Sequence, residues 1–202
     1  MTTPQPRPPV LGVLGAVASG KSAVTSRLVE LGAVALDADR EVGGLLGRVE
    51  IAARIGDEVD PGAVAEGKVD RRALADAVFS DSAKRAALEA ILHPPVVEAA
   101  RRLADAPPAG ARAVVIDAPL LLEAGLDAMC DELWFVDTPR ADRVRRAEES
   151  RGWNEAELDR REQAQVSVDE KRRRADRVID NDGTLDALRA RVEQAFEALC
   201  AG

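Results

Sequence analysis

The chain is short of most side chains that carry catalysis. Its 202 residues include one histidine, two cysteines, no tyrosine and five aromatics (Phe79, Phe135, Phe196, Trp134, Trp153). Only four of its 28 basic residues are lysine: Lys21, Lys68, Lys84 and Lys171. A protein zinc site needs several His or Cys ligands at close spacing, but Cys130 and Cys200 stand 70 positions apart and His93 is alone. A serine or cysteine nucleophile paired with an imidazole base has only His93 to draw on. A single-strand nucleic-acid platform stacks bases on aromatic faces, which five aromatics at mostly apolar positions do not supply. Two distant cysteines make no disulfide framework and suit a reducing cytosol. No apolar run reaches the ~18 residues of a membrane span.

What is present describes a globular chain. About 200 residues suits one domain, or one domain with an insertion. At 46% hydrophobic and 32% charged the composition is that of a folded protein. Residues 1–9 carry four prolines and no apolar core, so they read as a flexible tail rather than a signal peptide. The expected location is the cytoplasm, and the expected state a monomer.

Short apolar runs alternate with helical patterns. Val10–Leu14 reads as a buried strand, Lys21–Leu31 as a helix closed by Gly32, and Ala33–Leu36 as a second strand leading into Asp37-Ala38-Asp39. Residues 40–106 are helical in pattern, with breaks at Pro61-Gly62, Gly67 and Pro94-Pro95, and with Ser80 as the cap ahead of Asp81–Leu92. Strands follow at Ala113–Ile116, Leu133–Val136 and Arg177–Ile179. Helices are expected over Arg140–Ser150, after an Asn154 cap, and over Thr184–Leu199. Strands separated by helices imply an α/β fold, a parallel sheet flanked by helices. The domain reading is a nucleotide-binding core over 10–39 and 111–202, with a helical segment at about 140–175, and a helical insertion over 40–106.

In such sheets ligands bind at the carboxyl ends of the strands, and the strongest motif lies there. Gly15-Ala16-Val17-Ala18-Ser19-Gly20-Lys21-Ser22 fits G-x-x-x-x-G-K-[ST] between a strand and a helix. Backbone N–H groups and a helix N-terminus surround phosphate oxygens in this motif, and glycine lets the backbone approach. Lys21 adds a positive charge, and the Ser22 hydroxyl suits Mg²⁺. Asp37 and Asp39 follow the second strand. Each serves equally as a base for an attacking hydroxyl or as a helix cap. Asp117 ends the third strand, a place from which an acid supports Mg²⁺.

Charge is unevenly distributed. The net charge is −8, yet residues 140–177 hold twelve basic and ten acidic residues, leaving −10 on the remainder. Arg143 and Arg146 share a helix face at i, i+3. Arginines of a helical lid neutralise charge on a transferred phosphoryl group, although interleaved acids such as Glu148, Glu155 and Glu162 make salt-bridged surface the commoner use of any single arginine. The same interleaving argues against nucleic acid as a partner. His93, at a helix break, reads as structural on its own.

These motifs in this order resemble the dephospho-coenzyme A kinase family over about Val10 to Leu199. The likeness rests on the phosphate loop, on Leu36-Asp37-Ala38-Asp39, on Val69-Asp70-Arg71-Arg72-Ala73-Leu74 and on Leu92-His93-Pro94. It continues through Asp117-Ala118-Pro119-Leu120-Leu121-Leu122-Glu123, Glu170-Lys171-Arg172 and Ile179-Asp180-Asn181. The resemblance implies a P-loop kinase fold with a helical acceptor-binding insertion and a helical lid. It implies transfer of the ATP γ-phosphate to the 3′-hydroxyl of dephospho-coenzyme A with Mg²⁺, the last step of coenzyme A synthesis. ATP would be held by residues 15–23, with Ala23 closing the loop, and by Asn181 near adenine. Asp39 would be the base, Lys21 and Arg146 the catalytic cations, and Ser22 and Asp117 the metal-side oxygens. Asp39, His93, Asp117 and Leu120 would contact the acceptor. Alanine stands at 16 and 18, where the family commonly carries glycine, and suits those places if φ there is negative. Another small-molecule or nucleotide kinase on the same fold is the alternative. A nucleotide switch is disfavoured because no N-K-x-D motif occurs.

Overall fold

A computed structural model describes residues 7–201. Seven strands are present among them: β1 (Val10–Gly15), β2 (Val34–Asp37), β3 (Val64–Ala65), β4 (Lys68–Val69), β5 (Val114–Asp117), β6 (Glu132–Asp137) and β7 (Arg177–Asp180). Helices α1 (Lys21–Glu30), α2 (Ala38–Leu45), α3 (Val49–Glu58), α4 (Arg71–Ser80) and α5 (Ser82–Asp105) come first. They are followed by α6 (Arg140–Arg151), α7 (Glu155–Gln163), α8 (Val168–Arg174) and α9 (Leu185–Ala201). The chain divides into two compact units, residues 37–100 and the remainder.

The larger unit is built on a five-stranded sheet of order β2-β5-β1-β6-β7. β1 runs parallel to both β5 and β6, and β6 parallel to β7. Both faces are covered, so β1 is buried at all six positions, which is why it reads as a continuous apolar run. Leu11 and Val13 point to the face under α1 and α9, where Val24, Leu28, Trp134, Leu188, Val192 and Phe196 complete a core. The opposite face leaves no room at Gly12. An added Cβ would lie 2.6 Å from Leu133 and 2.9 Å from the Cys130 sulfur. Burial among these groups pushes the Cys130 thiol up to about 12, with Asp127 and Asp131 adding to the effect. α1 closes at Gly32, whose φ of 102° lets the Ala33 N–H return to the Leu28 carbonyl. Of the nine residues read as a tail, 1–6 lie outside the described residues. Arg7 pairs with Asp131, and the Pro9 carbonyl accepts from Val114 N–H at 2.8 Å.

The smaller unit is organised by aspartate caps. Asp37 accepts from the Arg40 N–H, Asp60 from Gly62, Asp70 from Arg72 and Ala73, and Asp81 from Ala83 and Lys84. Ile51, Ala52, Ile55, Val59, Ala63 and Leu74 are its buried side chains around α3 and α4. Lys84 also pairs with Asp60, and this bond, with the one from Gly62, holds the Asp60 carboxyl below its usual range.

Three expectations for this stretch are corrected. Ser80 does not cap a helix: it ends α4, and its hydroxyl donates back to the Asp76 and Ala77 carbonyls, while Asp81 caps α5. Pro94-Pro95 does not break the chain, because α5 runs through both prolines. Gly67 is more than a break. With Glu66 it makes a two-residue turn, at φ of 52° and 73°, that joins β3 to β4 as an antiparallel hairpin.

Candidate active site

The phosphate loop leaves β1 at Gly15 and enters α1 at Lys21. Its close turns follow from the residues. Ser19 N–H reaches the Ala16 carbonyl at 3.2 Å. Gly15 must be glycine because a Cβ would lie 2.4 Å from the Ser19 hydroxyl oxygen. Gly20 has φ of 91°, and a Cβ there would meet the Asn181 amide nitrogen at 2.4 Å. The Ser19 hydroxyl oxygen is buried without a hydrogen-bond partner, the kind of group that an oxyanion inside the loop would satisfy.

Ala18 departs from the expectation of negative φ: its φ is 60°. This left-handed conformation costs a non-glycine residue about 1–2 kcal/mol. Something is gained in return, since Val17 packs with Ala147 and Leu158, and Ala18, Val144 and Trp153 lie against that cluster. The outer side of the loop is thereby attached to α6 and α7. Trp153 is itself covered by two guanidiniums, Arg151 at 4.6 Å and Arg161 at 3.9 Å from the ring centroid.

Polar groups of the neighbouring strand ends converge on the loop. Asp117, at the end of β5, accepts from the Thr25 hydroxyl at 2.9 Å. Thr25 and Ser22 are i, i+3 neighbours on α1, so the carboxylate is held on the helix face that carries Ser22. No group of three or more His, Cys, Asp or Glu suited to hold a metal occurs among the described residues. One hydroxyl and one carboxylate nevertheless fit Mg²⁺, which keeps several waters and takes its other oxygens from substrate phosphates rather than from a protein cage.

The two arginines of α6 diverge. Arg143 is 7% exposed, donates from Nε to the Thr138 carbonyl at 3.3 Å and pairs with Glu162. Its charge is committed to joining α6 and α7. Arg146 lies beside Gly20, with Nη2 at 3.4 Å from the Asn181 carbonyl oxygen and 3.5 Å from its side-chain oxygen. Asn181 is buried, and its amide donates to the Ser19 carbonyl. Leu120 is half-buried in the turns after β5, where its carbonyl accepts from Ala124 N–H. In the other unit, Asp37 takes the capping role, Asp39 is exposed in the first turn of α2, and His93 is half-buried within α5.

Two residues were not anticipated. Thr138 is 6% exposed and donates to the Ser19 carbonyl at 2.7 Å. Nothing in its local pattern marks it. Lys171 is 3% exposed and donates to Gln165 at 2.6 Å. Burial holds its pKa below the usual lysine range, the nearby charge of Lys21 pushes the same way, and Glu123 and Glu162 oppose both. The available signals were its place in the Glu170-Lys171-Arg172 motif and the scarcity of lysine in a chain that otherwise uses arginine.

The comparisons with known proteins agree with this geometry. The family described as dephospho-CoA kinase matches residues 9–187. A dephospho-CoA kinase from Symbiobacterium thermophilum is 44% identical over 200 residues, covering 96% of this chain and 82% of that protein. The crystal structure of TT1252 from Thermus thermophilus superposes with a TM-score of 0.73 at 35% identity, covering 97% of this chain and 98% of the other. A dephospho-CoA kinase from Campylobacter jejuni shares the fold, with a TM-score of 0.63 at 20% identity and 96% and 98% coverage. With a sheet, a phosphate loop and a matched sequence that all agree, the chain belongs to the dephospho-CoA kinase family.

Proposed function

We propose that the chain transfers the γ-phosphoryl group of ATP to the 3′-hydroxyl of dephospho-coenzyme A, giving ADP and coenzyme A. Membership in the family makes it a kinase. The observation that most directly supports the nucleotide half is the loop itself: Gly15–Ser22 folded between β1 and α1, with a buried, unpartnered Ser19 hydroxyl inside it and the Arg146 guanidinium beside Gly20.

The residues divide the work as phosphoryl transfer requires, by positioning and by charge. The N–H groups of residues 15–23 and the Lys21 ammonium hold the ATP phosphates. Mg²⁺, when bound, screens the phosphate charge, with the Ser22 hydroxyl and the Asp117 carboxylate as its protein-side oxygens. Asp39 accepts the proton of the attacking 3′-hydroxyl, and Arg146 stabilises charge on the transferred group as α6 and α7 act as a lid. Asn181 lies on the adenine side of the site. Asp39, His93, Asp117 and Leu120 contact the acceptor. The reading takes the chain as a monomer in the cytoplasm, and the free thiols of Cys130 and Cys200 suit that compartment. Among the described residues no helix is long and apolar enough to cross a membrane.

The test is an acceptor panel. Purified chain, ATP and Mg²⁺ are incubated with dephospho-coenzyme A, shikimate, gluconate or a nucleoside monophosphate, and ADP release is followed. ADP release that depends on dephospho-coenzyme A supports the reading. Release that depends on another acceptor, with none for dephospho-coenzyme A, overturns it.

A further inference from the structure

The Ser19 carbonyl oxygen receives two hydrogen bonds from outside the phosphate loop. The Thr138 hydroxyl donates at 2.7 Å and the Asn181 amide nitrogen at 2.8 Å. All three residues are buried: Ser19 is 1%, Thr138 6% and Asn181 5% exposed. The two donors follow directly on β6 and β7, and those strand ends are tied together, since Asn181 N–H donates to the Asp137 carbonyl at 2.7 Å. Thr138 is held in turn, because its own carbonyl accepts from the buried Arg143.

A peptide unit is planar, and in the trans form its C=O and N–H point in opposite directions. Fixing the Ser19 carbonyl toward Thr138 and Asn181 therefore fixes the Gly20 N–H on the other side of the same plane. That N–H opens α1 and belongs to the set that a phosphate loop turns toward its ligand. Without the two donors this peptide loses two hydrogen bonds that oppose its rotation, and a flipped peptide presents a carbonyl oxygen to an anion. The fit is close on the Asn181 side, where the amide fills the space a Gly20 side chain would need.

We infer that Thr138 and Asn181 are positioning residues that lock the Ser19–Gly20 peptide in its phosphate-binding orientation, acting on nucleotide phosphates through the loop backbone. The inference rests on the phosphate-loop reading of residues 15–22, and the experiment separates the two. Binding of ADP and of tripolyphosphate is measured by calorimetry for the wild-type chain, Thr138→Val and Thr138→Ser, alongside urea unfolding of each without ligand. Thr138→Val keeps the shape and removes the donor. Its affinity for both ligands should fall about three- to tenfold, the worth of one hydrogen bond, and Thr138→Ser should restore it. Asn181→Ala, which removes the other bond, is read by its tripolyphosphate affinity alone, since Asn181 is also placed beside the adenine, and serves if Thr138→Val does not fold. Loss of unfolding stability with both affinities unchanged makes the contact merely structural and overturns the inference, while leaving the loop reading intact. A wild-type chain that binds neither ADP nor tripolyphosphate overturns both.

Discussion

The two units are held together by different means. In the sheet unit, apolar side chains are buried on both faces of β1, and the buried polar residues sit at the strand ends or, like Arg143 and Lys171, in the helices beside them. In the 37–100 unit, backbone N–H groups at four turns are satisfied by aspartates 37, 60, 70 and 81, and Val49 and Phe79 stay largely exposed. The acidic excess of the chain outside 140–177 is thus partly a capping device. The contrast also separates two kinds of aspartate in one short stretch: Asp37 is spent on a helix N-terminus, while its neighbour Asp39 stands in the first turn with its side chain exposed.

That contrast can be broken by substitution. The largest effect is expected from Asp39→Asn, which should lower turnover about 10²–10⁴-fold while leaving ATP affinity within about twofold. Near-normal turnover would return Asp39 to a structural role. Next, Lys21→Ala should cost about 10²–10³ in kcat, the range for removing one preorganised charge-stabilising group, with little change in urea midpoint. An unchanged rate at saturating ATP would contradict the role of the loop. Asp70→Ala should behave in the opposite way. It should lose about 1 kcal/mol of unfolding free energy with the α4 cap and leave ADP binding in the sheet unit unaltered by calorimetry. The smallest effect is expected from Ala18→Gly. Relief of about 1–2 kcal/mol of left-handed strain, set against about 0.5–1 kcal/mol of added chain entropy, gives a net gain of about 0.7 kcal/mol in urea unfolding. A loss would mean that the Ala18 methyl contributes more against Val144 and Trp153 than its backbone conformation costs.

Where local chemistry decided the structure, it was legible. Val10–Leu14 reads as buried strand because parallel strands covered on both faces have no polar alternation, and Gly15–Ser22 is recognisable because each glycine answers a close approach. Asn154 caps α7 and Gly152 closes α6 with positive φ, as their residue types imply. Where tertiary context decided, the reading failed. Pro94 and Pro95 lie inside α5 because buried residues before them (Ile91, Leu92) and after them (Val96, Ala100) continue one helix. Each proline removes an N–H, but burial outweighs the local preference to stop. The β3–β4 hairpin is only two residues per strand, too short for alternation to register, although the Glu66-Gly67 pair was a usable turn signal. Thr138 could not be found from its neighbours, since its partner, Ser19, is 119 positions away. Ala18 carries a conformation its residue type disfavours, and the signal for it was the glycine that the family commonly carries at that place.

The most direct measurement is tandem mass spectrometry of the product formed from ATP and dephospho-coenzyme A by the purified chain. The account predicts a product one phosphoryl group heavier than the acceptor, with the added group on the adenosine ribose at the 3′ position. A product phosphorylated elsewhere, or an unmodified acceptor in the presence of tightly bound ATP, would contradict it.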